Sequence, residues 1–296
     1  MFRSRQRLQH LSDDQSRSFE ALNDKVKSLI FAVAQGQQNF GVICDLINAQ
    51  GSSTKQHISN EFEKQQRQLV AEDFRKRILD SLYFPEINVR QEDIKEAHKE
   101  TFEWIYDKTG ADLRPWSIFT QWLEQERATY WICGKAGSGK STLMNTIYQD
   151  ERTMNALKVW AGAAELLTPA FFFWNAGTEL QRGSMGLLRS LLYQLISAIP
   201  VMTAGFLMAM DSIGQHATQQ LPVWTEQRLC NWLVRLIENE LSGFRLCIFI
   251  DGLDEFTGDQ DALIRLIMKL TQFSNTKVCL SGRISGTMTI SDPQQC

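Results

Sequence analysis

No apolar run in the sequence approaches the eighteen or so residues that a membrane helix needs, so nothing in it marks a membrane span. Charge of one sign is also missing. Lys and Arg number 31 against 34 Asp and Glu, a net charge of -3, and a field that weak favours neither nucleic acid nor an anionic membrane as a partner. The six cysteines, at 44, 133, 230, 247, 279 and 296, form no C-x-x-C pair. That spacing argues against a zinc site or a disulfide framework and suits small buried hydrophobes in a reducing compartment. Arg3, Arg5, Arg7 and Arg17 open the chain, but Asp13 and Asp14 interrupt them and no apolar segment follows. This excludes a secretory signal and argues against a mitochondrial presequence, so a cytoplasmic protein is expected. There is no internal repeat and no low-complexity segment.

What the chain does have is apolar bulk. Its 296 residues are 43% hydrophobic and include 17 Phe and 8 Trp, enough for one sizeable core and a smaller second unit. Phe19, Leu22, Val26, Leu29 and Val33 step by three and four, and the frame resumes after Gly36 at Phe40, Ile43 and Ile47. Eleven glutamines among the first seventy residues suit exposed helix faces. The stripe fits either a coil that self-associates or binds a partner, or a helical hairpin packed on its own domain; Gly36 and Gly51-Ser-Ser-Thr54 break it early. A second helical pattern from Ile58 through Phe62, Leu69, Phe74, Ile78 and Leu82 should stop before Pro85. Residues 86–126 are charged, with Phe102, Trp104, Ile105, Trp116, Phe119, Trp122 and Leu123 as apolar positions. They read as helices covering one side of the domain that follows.

From Thr129 short apolar runs alternate with helical patterns. The runs are Tyr130–Cys133, Ala170–Trp174, Leu246–Ile250 and Val278–Leu280; the helix candidates lie near 140–150, 184–198 and 225–241. Apolar strands separated by helices predict an α/β fold with a parallel sheet covered on both faces. In that setting the aromatic run Ala170-Phe-Phe-Phe-Trp174 is expected to be core.

Between the first run and the first helix candidate lies Gly134-Lys135-Ala136-Gly137-Ser138-Gly139-Lys140-Ser141-Thr142, which fits G-x-x-x-x-G-K-S/T in its strand–loop–helix setting. Gly134, Gly137 and Gly139 permit close backbone approach, so successive N–H groups converge on a phosphate at a helix N-terminus. Lys140 is placed to reach the β- and γ-phosphates, Ser141 to take one site on Mg²⁺, and Thr142 to sit near the α-phosphate of ATP or GTP. The run Leu246–Glu255, LCIFIDGLDE, puts Asp251 at the end of a buried strand as the candidate metal-side carboxylate. Asp254 and Glu255 follow within a turn. Either could orient and deprotonate a water, and spacing does not choose between them; alternatively they cap a helix starting near 255. Arg283, just past the strand Lys277–Leu280, would stand beside the γ-phosphate if that strand neighbours the Asp251 strand. A kinase would also need an acceptor site and an arginine-rich lid, whereas arginines are few and scattered between Arg182 and Arg245.

These residues resemble the NACHT-type P-loop NTPases of the STAND class, and among them the fungal NOD-like receptors. The likeness rests on GKAGSGKST, LCIFIDGLDE, FFFWNAGTELQRGSMGLLRSLLYQLI, ILDSLYFPEINVRQEDIKEAHKETFEWIY and FTQWLEQERATYWICGKAGSGKSTLM, and covers about residues 76–283. It implies a nucleotide-gated signalling switch that hydrolyses slowly, in innate-immunity or incompatibility signalling, with an effector or adaptor region before the NTPase and sensor repeats after it. The expected organisation is a helical region over 1–75, a helical linker over 76–126, the NACHT domain over 127–290 and a tail over 291–296. A non-catalytic adaptor or decoy acting through the N-terminal helices is the alternative.

The sequence departs from the family in two places. Relatives tend to read S-S-R-P where this one reads Ser281-Gly282-Arg283-Ile284, and the sequence contains none of the units that clamp the nucleotide or sense ligand in the family. In the family's sheet order the loop-bearing strand lies between the sensor strand and a fifth strand. Unless Thr287–Ile290 supplies that fifth strand, the strand at 130–133 is expected to be an exposed apolar edge, with marginal stability or self-association as the result.

Overall fold

The structure, a computed structural model, describes residues 17, 20–28, 71–95, 101–106, 118–125, 128–199 and 223–283. The chain divides into two units, residues 1–67 and 68–296. In the first, residues 20–28 are helical, and Leu22 and Val26 on this helix are exposed. The other stripe positions, from Phe19 to Ile47, and the segment from Ile58 to Leu69 lie outside the described residues, as does Thr287–Ile290.

The second unit is built on a parallel sheet. Its strands are β1 (Thr129–Cys133), β2 (Glu165–Leu167), β3 (Ala170–Phe172), β4 (Phe244–Asp251) and β5 (Thr276–Gly282), in the order β1-β5-β4, with both β2 and β3 on the far side of β4. β2 and β3 keep one register against β4, since Leu167 pairs with Leu246 and Ala170 with Phe249. They are a single edge strand interrupted at Thr168-Pro169. Pro169 has no N–H to donate, which an edge strand tolerates, and its carbonyl still accepts from the Phe249 N–H at 2.9 Å. The outer backbone of this edge is satisfied by the Gln194 side chain, which accepts from the Ala170 N–H at 2.9 Å and donates to the Ala170 carbonyl at 2.7 Å.

Strand periodicity sorts the apolar side chains to two faces. Leu246, Ile248, Ile250, Val278 and Leu280 enter one core with Ile78, Leu82 and the helices α1 (Ser184–Ala198), α2 (Glu226–Arg235) and α3 (Gln260–Thr271). Cys247, Phe249, Cys279, Tyr130 and Ile132 enter the other with Phe119, Trp122, Leu123 and the helices over Lys140–Gln149 and Glu151–Ala161. The expected two-sided sheet is therefore present, with each expected strand and helix found within a few residues. The helix predicted to end before Pro85 closes at residue 82. The candidate at 225–241 is α-helical to Arg235 and continues as a π-turn over Leu236–Glu240.

Helix Glu151–Ala161 and strand β2 were not anticipated. The helix follows the preceding one after a single residue, Asp150, whose carboxylate caps it by accepting from the Arg152 N–H at 2.8 Å. Two helices that abut through one cap read as one long or ambiguous pattern.

The described part of residues 94–125 packs on the second core. Ile105, Phe119, Trp122 and Leu123 are buried, while Trp104 is exposed. Buried Lys277 on β5 reaches across this layer and donates to the carbonyls of Trp122 at 2.6 Å and Leu123 at 2.9 Å. It thereby satisfies carbonyls at the end of helix Ile118–Glu124 and fixes that helix to the sheet. Among the described residues β1 lies at one margin of the sheet, paired with β5. Its Tyr130 is nevertheless covered by Phe119 and Trp122, with ring centroids 5.0 and 5.4 Å away.

Candidate functional site

Parallel pairing brings the C-terminal ends of β1, β5, β4 and β3 to one edge, where α/β sheets form their clefts. Cys133 pairs with Gly282, so the segments starting at Gly134 and Arg283 leave the sheet side by side. The loop 134–139 then turns into helix Lys140–Gln149 through Gly139, whose φ is +83°, after Gly137 at +70°. Both values favour glycine. No side chain caps this helix, so its first N–H groups stay open to an acceptor in the cleft, where the helix dipole is positive. Lys140 Nζ donates to the carbonyls of Gly134 at 2.9 Å and Lys135 at 3.0 Å, which folds the lysine over its own loop.

Asp251, the last residue of β4, is fully buried at the floor of the site. Its Oδ1 accepts a hydrogen bond from Ser281 Oγ, which in turn accepts from the Gly252 N–H at 3.1 Å. The Ser141 hydroxyl is close enough to the Asp251 carboxylate to favour its ionised form. Asp251 Oδ2 has no partner among the described residues. Burial pushes the Asp251 carboxyl above its ordinary range; the Ser141 and Ser281 hydroxyls and the charge of Arg90 work against that shift, and Glu255 adds to it.

Gly252 turns the chain at a φ of +73°, and Leu253–Glu255 form one 3-10 turn. The next helix, α3, is capped by Asp259, which accepts from the N–H groups of Asp261 and Ala262. Asp254 and Glu255 therefore do not cap it. Asp254 pairs with Arg283, Oδ2 to Nε at 2.8 Å, and Glu255 Oε2 accepts the Asn175 N–H at 2.9 Å. No group of three or more His, Cys, Asp or Glu side chains that could hold a metal by itself occurs among the described residues. Any divalent ion here would draw on hydroxyl and ligand oxygens beside Asp251.

The cleft has a volume of about 600 Å³. Its lining includes Ala136–Thr142, Asp254, Glu255 and Arg283. Asp251 lies beneath it, and Gly134 and Lys135 supply the carbonyls that hold Lys140. The structure thus brings together every residue singled out in the sequence. It adds Arg90, Trp174 and Asn175 to the wall and Ser281 to the floor. Trp174 corrects the reading of the aromatic run: Phe171, Phe172 and Phe173 are buried, but β3 ends at Phe172 and Trp174 turns into the cleft. A polar residue directly after the run was the available signal. For Arg90, one arginine in a charged stretch, there was none.

A family model described as Nephrocystin 3, N-terminal, matches residues 100–283, from the packed upstream segment to the arginine at the end of β5. No curated protein matches the chain. The match carries nothing specific to fungal receptors.

Proposed function

Because the chain belongs to the nephrocystin 3 N-terminal family, a NACHT-associated group, and is built on a parallel α/β sheet, we propose that it binds ATP or GTP with Mg²⁺ in this cleft, hydrolyses it slowly, and serves as a NACHT-type signalling switch. One observation carries the reading. Ser141, at an uncapped helix N-terminus, lies near the buried Asp251 carboxylate, one oxygen of which is left unpartnered.

The N–H groups at the start of helix Lys140–Gln149 bind phosphate oxygens, and Lys140 exchanges the carbonyls of Gly134 and Lys135 for the β- and γ-phosphates. Ser141 and Asp251 would hold the metal, and bound Mg²⁺ would supply charge neutralisation on the phosphates. Glu255 is the base. Its Oε2 is fixed by the Asn175 N–H, which leaves Oε1 to orient a water and accept its proton. Asp254 instead anchors Arg283 at the mouth of the cleft.

Fluorescent ATP and GTP, titrated with Mg²⁺ and with EDTA, test this on the full chain and on Lys140→Ala. Magnesium-dependent binding lost in the variant is the expected result, followed by turnover lost in Glu255→Gln and retained in Asp254→Asn. Folded protein that binds neither nucleotide refutes the reading. The exposed Leu22 and Val26 favour the second reading, an adaptor that acts through its N-terminal helices; partner binding that survives Lys140→Ala without nucleotide would support it.

A further inference from the structure

We propose that Arg90 is a terminal-phosphate contact, a positioning arginine supplied in cis from outside the matched family region, which lets the site tell a nucleoside triphosphate from a diphosphate. The inference rests on the nucleotide reading above and concerns a residue that reading does not use.

Arg90 lies on the short helix Val89–Asp93 and lines the cleft together with the glycine-rich loop. Its guanidinium sits over the Trp174 ring, 5.7 Å from the centroid. Its Nε is buried and finds no acceptor among the described residues. The other two cations in the wall are taken up, Lys140 by two loop carbonyls and Arg283 by Asp254. Arg90 therefore brings to the cleft wall a guanidinium with one buried, unpartnered N–H, near enough to Asp251 to act on its charge. A guanidinium offers phosphate a planar fork of donors that an ammonium cannot.

Its position is fixed from both sides. Gln91 Nε2 approaches Asn145 Oδ1 on the glycine-rich loop's helix at 3.5 Å. On the other side, Gln181 links the Trp174 loop to the chain just before Arg90. It accepts from the Trp174 N–H through its backbone carbonyl at 3.0 Å, and its side-chain amide reaches the Glu86 carbonyl at 3.4 Å. A shift of this helix would move the guanidinium relative to the loop and the Trp174 wall together.

The competing account is that Arg90 only balances the buried Asp251 charge. The two differ in what they discriminate. A charge-assisted hydrogen bond to the terminal phosphate is worth about 1.5–3 kcal/mol, on the order of a 10- to 150-fold change in affinity. The experiment measures affinities of the full chain for the imido triphosphate analogues of ATP and GTP and for ADP and GDP, all with Mg²⁺. In Arg90→Ala the triphosphate analogue should weaken by at least about tenfold and the diphosphate by less than about threefold. Arg90→Lys, which keeps the charge without the fork, should fall between, and also serves if the alanine variant does not fold. Equal weakening of both ligands, or an unchanged ratio, overturns the proposal and leaves Arg90 a partner of Asp251. Wild type that binds neither analogue overturns the nucleotide reading itself, and this inference with it.

Discussion

Replacing Asp251 by Asn should make the ligand-free protein more stable and less able to bind magnesium nucleotide. Asp251 is fully buried, accepts from the Ser281 hydroxyl and leaves Oδ2 unpartnered. A buried carboxylate in real proteins costs several kcal/mol. Asn keeps the shape and the Ser281 contact, but that contact falls from a charged to a neutral bond, a loss of about 1 kcal/mol. The unpartnered oxygen becomes an unpartnered amide, which roughly cancels. The net gain is about 2 kcal/mol, or about 4–8 °C in Tm for a domain of this size.

The gain must also depend on pH in one direction. Burial holds the folded-state pKa above the ordinary 3.8, so between the two values the folded protein binds more protons than the unfolded one. Wild-type stability therefore rises as pH falls through the raised pKa. The advantage of Asn is full above that pKa and disappears below 3.8. Calorimetry of both proteins in EDTA without nucleotide, from pH 4 to 8, measures it. A lower Tm for Asp251→Asn, or a difference that does not change with pH, would show that no buried charge is being relieved.

A methyl group at Gly186 would lie 1.6 Å from the Leu180 carbonyl oxygen. Gly186→Ala must push helix α1 off the preceding turn, at a cost of about 3 kcal/mol in urea unfolding; a Tm within 2 °C of wild type would contradict the packing. Arg152 pairs with Glu103 at 2.6 Å and Asp150 at 2.8 Å and lies 3.9 Å from the centre of the Tyr106 ring. Arg152→Gln should lower Tm by a few degrees, less so in 1 M salt. Hydrogen bonds from Arg152 hold both the Glu103 and the Asp150 carboxyls below their ordinary 4.5 and 3.8. The stabilisation is therefore present above those values and lost as pH falls through the lowered ones, and a variant as acid-sensitive as wild type would count against the network.

The fold was legible where local pattern and burial agree. β4 and β5 lie in the middle of a sheet covered on both faces, so they read as unbroken apolar runs. Helix α1 was placed at its observed bounds because it starts at a glycine and is apolar enough to be buried on several sides. β2 escaped because it is three residues long at an edge, with Glu165 exposed. The glycine-rich loop and Asp251 were legible because they follow a motif with residue types at fixed offsets between a strand and a helix. Arg90, Asn175 and Ser281 were not. Their part in the site comes from sheet register and from a helix laid over the cleft, and neither leaves a local mark on sequence. Arg283 was placed beside the site by assuming that its strand neighbours β4, and the pairing of Ile250 with Leu280 bears that out.

The register of β1 also sets an order of events during synthesis. Thr129 pairs with Val278, 149 residues later in the chain. At about 5–20 residues per second, a ribosome needs roughly 7 to 30 s to deliver that partner. For that interval the nascent strand carries Tyr130, Trp131 and Ile132 without its β5 neighbour, directly ahead of the glycine-rich loop. The glycine-rich loop is among the first parts of the site to emerge, and the arginine beside it the last. On the proposed reading, nucleotide capture would report that β5 has been threaded between β1 and β4.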